Sequence, residues 1–144
     1  MVISFTIPVA PISVQHGARA NFRARRFYTD ATKKKYTDAI IAEVAHHAPE
    51  KPLTGPLEVE YKFYIERPES VAAITAEGAS CDWDNLSKGT QDALSKAKIW
   101  KNDKQIVHAE VWKLYAEPDL FPRIEVMIKQ LEVIEHQSLG SINL

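Results

Sequence analysis

Apolar and polar residues alternate at strand spacing in two stretches of the chain and recur at helical spacing in two. Residues Val2 to Pro8 alternate and are β-prone. The clearest strand runs from Leu57, where Leu57, Val59, Tyr61, Phe63 and Ile65 alternate with Glu58, Glu60, Lys62, Tyr64 and Glu66, giving one core face and one wetter face. Residues Ile106 to Ala116 and Arg123 to Val133 read as two further strands, and Pro118 and Pro122 between them predict a hairpin. Helical spacing places Ala31, Tyr36, Ala39, Ile40, Val44 and Ala45 on one face of a helix capped by Thr29 or Asp30 and running to about Ala48. A second helix, capped by Asp84 or Asn85 and running to about Lys98, carries a stripe of Leu86, Thr90, Ala93, Leu94 and Ala97.

Connections complete the pattern. A long Pro-, Gly- and Arg-containing loop after Pro8 includes a short strand near Arg26 to Thr29, and Arg67 to Cys81 reads as a flexible loop that delivers Asp82 and Asp84 to the second helix. The order β-α-β-α-β-β predicts an α+β fold: a mixed or antiparallel sheet with two principal helices packed on it. Residues 1–133 are expected to form one domain, with 134–144 a frayed tail, since 144 residues match the usual single-domain size.

Composition narrows the classes. One cysteine, Cys81, excludes an internal disulfide and a cysteine-rich zinc site, and it reads as a half-buried small hydrophobe in a reducing compartment. The apolar start lacks a basic leader and is broken by Pro8 and Pro11, so no signal peptide or membrane span is expected and the location reads as cytoplasmic. A net charge of -1 and a pI of 6.5 give no general support for nucleic-acid binding. Local charge differs, because Arg19, Arg23, Arg25, Arg26, Lys33, Lys34 and Lys35 face only Asp30 over one segment interleaved with Phe22, Phe27 and Tyr28. Phosphate backbones are gripped by such patches, although a solvated loop and helix face would read the same way.

Candidate chemistry concentrates between residues 82 and 103. Asp82 and Asp84, two apart in an expected extended segment, point the same way, and Asp103 can return to them if the chain folds back after the helix. Hard cations such as Mg2+ take such oxygen ligands. Lys88 lies four residues after Asp84, and Asp92 four after Lys88, which suits either a ladder of surface ion pairs or a reactive face. Serine at position 87 and alanine at 93 exclude an EF-hand, and neither a phosphate-binding glycine loop nor a dinucleotide fingerprint occurs. His46, His47, His16, His108 and His136 lack zinc spacing and read as surface or packing residues. Trp83 is expected to pack the loop onto the core rather than stack on an unpaired base, and Trp100 to plug the core.

The stretch Asp82-Trp83-Asp84-Asn85-Leu86-Ser87-Lys88, then Asp92-Ala93-Leu94, then Trp100-Lys101-Asn102-Asp103-Lys104-Gln105-Ile106-Val107, resembles the RusA family of Holliday-junction resolvases of bacteria and their prophages. The family pattern is Asp-x-Asp-Asn-Leu-x-Lys, an Asp-Ala-Leu in the helix and an Asp-Asp-x-Gln-Val turn. That resemblance implies a homodimeric endonuclease, dependent on Mg2+ with Mn2+ as a substitute, that nicks four-way DNA junctions in paired, symmetric fashion without an organic cofactor. It matches Asp82, Asp84 and Asp103 to metal-binding carboxylates and Lys88 to a catalytic lysine. The chain departs from the pattern at Val14-Gln15, where paired asparagines are common, at Asn102, where an aspartate is, and at Glu77 to Cys81, where basic residues are. Phosphate contacts would then fall to Arg19, Arg23, Arg25, Arg26, Lys33 and Lys34. Rival readings are a metal nuclease acting on flaps or other branched DNA, a junction binder that does not cut, and a structural domain with a merely acidic surface.

Overall fold

The computed structural model of the chain describes residues 1–13 and 30–136. Arg19, Arg23, Arg25, Arg26, the short strand expected near residues 26–29 and the final residues 137–144 lie outside the described residues. Six principal elements follow the expected order: β1 (Val2–Ile7), α1 (Asp30–Ala45), β2 (Leu57–Ile65), α2 (Trp83–Lys96), β3 (Ile106–Tyr115) and β4 (Arg123–Gln130). The strands form one mixed sheet in the order β1-β4-β2-β3, with β2 parallel to β3 and the other pairs antiparallel. This is the α+β arrangement that the hydrophobic pattern predicts.

Alternation in β2 fixes which face is covered. Leu57, Val59, Tyr61 and Phe63 are all buried, and they meet Ile124, Val126 and Ile128 of β4 and Phe5 and Ile7 of β1 in a continuous core. Both helices contribute to that core, through Tyr36, Ile40 and Val44 of α1 and Leu86, Ala93 and Leu94 of α2. Each fully buried large apolar side chain contributes about 1.5–3 kcal/mol, so this layer of strand and helix residues supplies the main driving force. The buried stripe of α1 is narrow: Ala31, Ala39 and Ala45, expected on it, are exposed, because only the strict i,i+4 row at 36, 40 and 44 meets the sheet. The helix also stops at Ala45, ahead of Pro49, and the His47 ring just beyond it stacks on Phe5 at 4.8 Å. His47 is thus a packing residue.

Two expectations about connections are corrected. The strands on either side of Pro118 and Pro122 form no hairpin; β4 lies on the far side of β2 from β3, so the 116–122 connection crosses the end of β2. Arg123 secures that crossing. Its guanidinium, buried against the sheet, donates to Glu117 at 3.1 Å and Glu125 at 2.9 Å and lies 3.7 Å over the Tyr64 ring of β2. The Arg123 hydrogen bond, foremost, holds the Glu117 carboxyl below the usual carboxylate range. The second correction concerns Arg67 to Cys81, which does not run free. Ile74 to Ala76 pairs antiparallel with the outer edge of β3, Ala76 N–H donating to Lys113 O and Tyr115 N–H to Ile74 O at 2.8 Å. An open strand edge is a liability, and this segment covers its C-terminal end, at residues 113–115.

Helix α2 ends at Lys96, two residues before the expected end at about Lys98. Lys98 adopts φ 61, Ile99 N–H reaches back to Leu94 O at 3.3 Å and Lys98 N–H to Ser95 O, a C-terminal motif in which glycine is the usual residue at the left-handed position. A lysine there carries steric strain of about 1–2 kcal/mol. Replacement Lys98→Gly is expected to raise the unfolding free energy by roughly 0.5–1 kcal/mol, the strain relief exceeding glycine's extra entropy in the unfolded chain. Urea denaturation checks this, and an equal or lower midpoint contradicts the assigned cap geometry.

Candidate functional site

Asp82 is the N-cap of α2, with φ -83 and ψ 142, so the helix starts at Trp83 and Asp84 lies inside its first turn. The cap is therefore two residues earlier than Asp84 or three earlier than Asn85, and the expected extended Asp82-x-Asp84 segment is instead a loop-to-helix corner. The reason is local: Asp82, Asp84 and Asn85 are all good cap formers, and Asp82 O accepts the first helical hydrogen bond, from Leu86 N at 3.1 Å. The Asp82 carboxylate makes no capping bond of its own. Asp82, Asp84 and Lys88 are exposed, and their side chains have no hydrogen-bond or ion-pair partner among the described residues. The i,i+4 ladder that could have explained Asp84 and Lys88 structurally is thus not formed between them. Asp92, two turns on, is half-buried and engaged with its surroundings.

Trp83 is 59% exposed between the two aspartates, correcting the expectation that it packs onto the core. At the first helical position its side chain projects from the corner while Leu86 and Thr90 take the buried stripe. Trp100 does plug the core, at 1% exposure. Cys81 is half-buried against the core, as expected.

Asp103 opens a short 3-10 turn, Asp103–Gln105, just before β3. Two hydrogen-bonded anchors hold it. Its Oδ1 accepts from the buried Trp100 Nε1–H at 2.7 Å. The turn's backbone is held by a capping box in which Asn102 Oδ1 accepts from Lys104 N and Gln105 Oε1 accepts from Asn102 N, both at 2.9 Å. Gln105 reaches further, donating from Nε2 to Leu53 O at 2.9 Å and Gly55 O at 3.0 Å, so that one side chain ties the turn to the entry of β2. Gly55 supplies its carbonyl from a left-handed conformation, φ 76, that other residues rarely adopt. The buried Tyr61 phenol is pushed up by burial and, secondarily, by the Asp103 charge. Gln105 and Tyr61 are absent from the expected site; the Asn102-x-x-Gln105 capping pattern was the readable signal for the former.

The acids are not all brought together. Asp82 and Asp84 stand at the start of α2 and Asp103 beyond its end, and a helix of 14 residues is about 20 Å long. Among the described residues no three His, Cys, Asp or Glu side chains group closely enough to hold a metal ion between them. In donor chemistry the acids suit a hard cation, since each offers carboxylate oxygens and those of Asp82 and Asp84 are uncommitted. Of the basic candidates, Lys34 on α1 pairs with Asp38 at 2.7 Å, and that hydrogen bond chiefly raises its pKa. Lys33 is half-buried with contacts of its own.

The two kinds of aspartate are expected to differ in stability. Asp82→Asn and Asp84→Asn should cost under about 1 kcal/mol, the scale of a lost helix-dipole contact. Asp103→Ala should cost about 1–3 kcal/mol, because it strands the buried Trp100 N–H. Denaturant titration of the three variants decides; equal losses contradict the anchoring of Asp103.

Among known proteins, the chain is similar to an uncharacterized protein of Bacillus subtilis (strain 168), YqaN, with 34% identity over 142 residues, covering 90% of this chain and 96% of that protein. Residues 8–129 match the family model described as endodeoxyribonuclease RusA, a span that includes β2, α2, the Asp103 turn, β3 and nearly all of β4. An exposed Asp82-x-Asp84 corner, Lys88 one turn on and an anchored Asp103 before β3 all fall within it, and the chain belongs to the RusA family of endodeoxyribonucleases.

Proposed function

We propose that this chain is a divalent-metal-dependent endonuclease that resolves four-way DNA junctions as a homodimer, through paired and symmetric phosphodiester cleavage. The observation that carries this reading is the concentration of uncommitted charge at one corner: Asp82, Asp84 and Lys88 are exposed and unpaired among the described residues of an endodeoxyribonuclease-family chain. Charged side chains that serve stability are ordinarily paired or make capping hydrogen bonds, and among the described residues these three side chains do neither.

Roles follow from chemistry and position. Asp82 and Asp84 at the corner would hold Mg2+ or Mn2+, a cation that commonly takes one or two carboxylates and completes its shell with water and substrate phosphate, and Asp103 would join them only by moving toward the corner, since no three acids group among the described residues. Such a cation, when bound, supplies Lewis-acid stabilisation of charge on the scissile phosphate and lowers the pKa of attacking water. Lys88 places an ammonium one turn along α2, where it offsets phosphate charge and steadies the nucleophile. The positive end of the α2 dipole adds to it at the same corner. Asp103, with one oxygen tied to Trp100, keeps the other for a ligand. A two-fold dimer would offer one such corner to each of two symmetry-related strands, which is what paired cuts require. Arg19, Arg23, Arg25, Arg26, Lys33 and Lys34 are assigned phosphate contacts along the arms. Residues 1–133 act in this reading as one nuclease domain in the bacterial cytoplasm, whether cell- or phage-encoded. Among the described residues no helix is long and apolar enough to cross a membrane.

One observation favours a second reading. Because no three acids group among the described residues, a protein that binds branched DNA without cutting it would also fit. Incubation of the purified chain with labelled four-way junction, flap and linear duplex, with and without Mg2+, separates them. Symmetric junction nicks that need Mg2+ and fall at least about 100-fold in Asp82→Asn and Lys88→Ala are the expected result. Tight junction binding with no metal-dependent cutting would establish the binder instead.

A further inference from the structure

The outer edge of β3 is covered at one end and open at the other. Lys113 O accepts from Ala76 N–H and Tyr115 N–H donates to Ile74 O, so these odd-numbered residues turn their backbone groups away from β2. By the alternation of a strand, Ala109 and Val111 present an N–H and a C=O outward in the same way, and among the described residues no strand lies there to take them. The open stretch is 106–112, and its midpoint is Ala109. Val107, His108, Ala109, Glu110 and Trp112 are exposed along it.

That stretch is complementary to itself. Laid antiparallel against a second copy with a two-fold axis through Ala109, it sets Ile106 opposite the partner's Trp112, Val107 opposite the partner's Val111 and His108 opposite the partner's Glu110. Each is a favourable cross-strand pair: β-branched with aromatic, β-branched with β-branched, base with acid. Because Ala109 turns its backbone outward, it meets its own copy as a hydrogen-bonded pair, and His108 and the partner's Glu110 fall at the closer, non-hydrogen-bonded position. His108 is already poised for this contact. Its Nδ1 lies 2.8 Å from Glu58 Oε1 on β2, which leaves Nε2 without a partner among the described residues, and the Glu110 carboxylate has none there either. Sliding the register so that the axis passes through Glu110 or His108 would set like groups against each other, Glu110 on the partner's Glu110 or His108 on the partner's His108.

We propose that two copies of this chain pair antiparallel along residues 106–112 of β3 about a two-fold axis at Ala109, joining their four-stranded sheets into one. The pairing names the interface of the homodimer in the reading above; it rests on that reading for the dimer but not for cleavage. An open edge invites such pairing, and here the 74–76 segment limits its length by occupying residues 113–115. Strand addition of this kind takes its affinity from main-chain hydrogen bonds and its specificity from side chains.

Sedimentation of the full chain tests the interface, with circular dichroism and thermal melting to follow the fold. The unmutated chain is expected to be a dimer. Ala109→Pro removes an N–H that faces away from β2, where an edge strand tolerates proline, and is expected to keep the fold while weakening dimerisation at least about 100-fold. Its junction products should then be single nicks rather than paired cuts. In a second measurement, His108→Cys and Glu110→Cys chains are mixed under mild oxidation, with the unmutated chain as the control for Cys81. A disulfide between position 108 of one copy and position 110 of the other is expected, since their Cβ atoms would lie about 5 Å apart, and each variant alone should cross-link far less. Should Ala109→Pro fail to fold, the mixture decides alone. A folded Ala109→Pro that remains a dimer, or a mixture without the 108–110 cross-link, overturns this interface and leaves the nuclease reading standing. An unmutated chain that is monomeric in the junction assay overturns the interface and the homodimer together. Slow amide exchange at Ala109 and Val111 of such a monomer would place another part of the same chain on this edge. A dimer cross-linked as expected that never cuts DNA would overturn the nuclease reading alone.

Discussion

Parallel strands cannot be joined by a tight turn, and the pairing of β2 with β3 therefore obliges the chain to leave the sheet, run back along it and re-enter at the same end. Helix α2 is that return, and the candidate site residues lie at its two ends. Asp82 caps the start, Asp84 and Lys88 follow within two turns, and Asp103 stands at the re-entry into β3. The buried stripe of Leu86, Thr90, Ala93 and Leu94 holds the helix to the sheet and leaves the opposite face, with Asp84 and Lys88, in water. A slip in the β2–β3 register would move the entry of β3 relative to Leu53 and Gly55, and the Gln105 staple would have nothing to grip. Fold and candidate site are in this sense one constraint.

The two ends of α2 use acid in different ways. At the start, the carboxylates of Asp82 and Asp84 sit exposed at the positive end of the helix dipole, which favours anions. Beyond the end, Asp103 is partly buried over aromatic residues and held by an indole, an arrangement that fixes geometry at the expense of freedom. The corner carrying Asp82 and Asp84 also carries the exposed Trp83.

Much of this was legible in the residues, for physical reasons. Alternation in β2 named its buried face, since a strand has only two faces and one must meet the helices. The stripe of α2 and the family motif located the acids and Lys88. Strand partners were less legible: the residues of β3 and β4 show that each is a strand, but adjacency in sequence favours a hairpin, and only the crossing loop secured by Arg123 places β4 beyond β2. The helix start was ambiguous because three cap-forming residues lie within four positions. Trp83 was misread because large aromatics usually bury, and the stripe beginning at Leu86 leaves no buried place for it. Gln105 is part of the family motif, but its staple was not legible, since its partners Leu53 and Gly55 are some fifty residues away.

Charge at the α2 corner offers the most direct test of the whole account, because catalysis and binding should respond to it in opposite directions. Single-turnover cleavage of a four-way junction by Asp84→Asn in Mg2+, measured beside the junction Kd of the same protein, is the decisive comparison. If Asp84 serves the reaction, cleavage falls at least about 100-fold while the Kd stays level or tightens, since a negative charge facing phosphate has been removed. Cleavage at the unmutated rate would contradict the assignment of this corner as the catalytic centre.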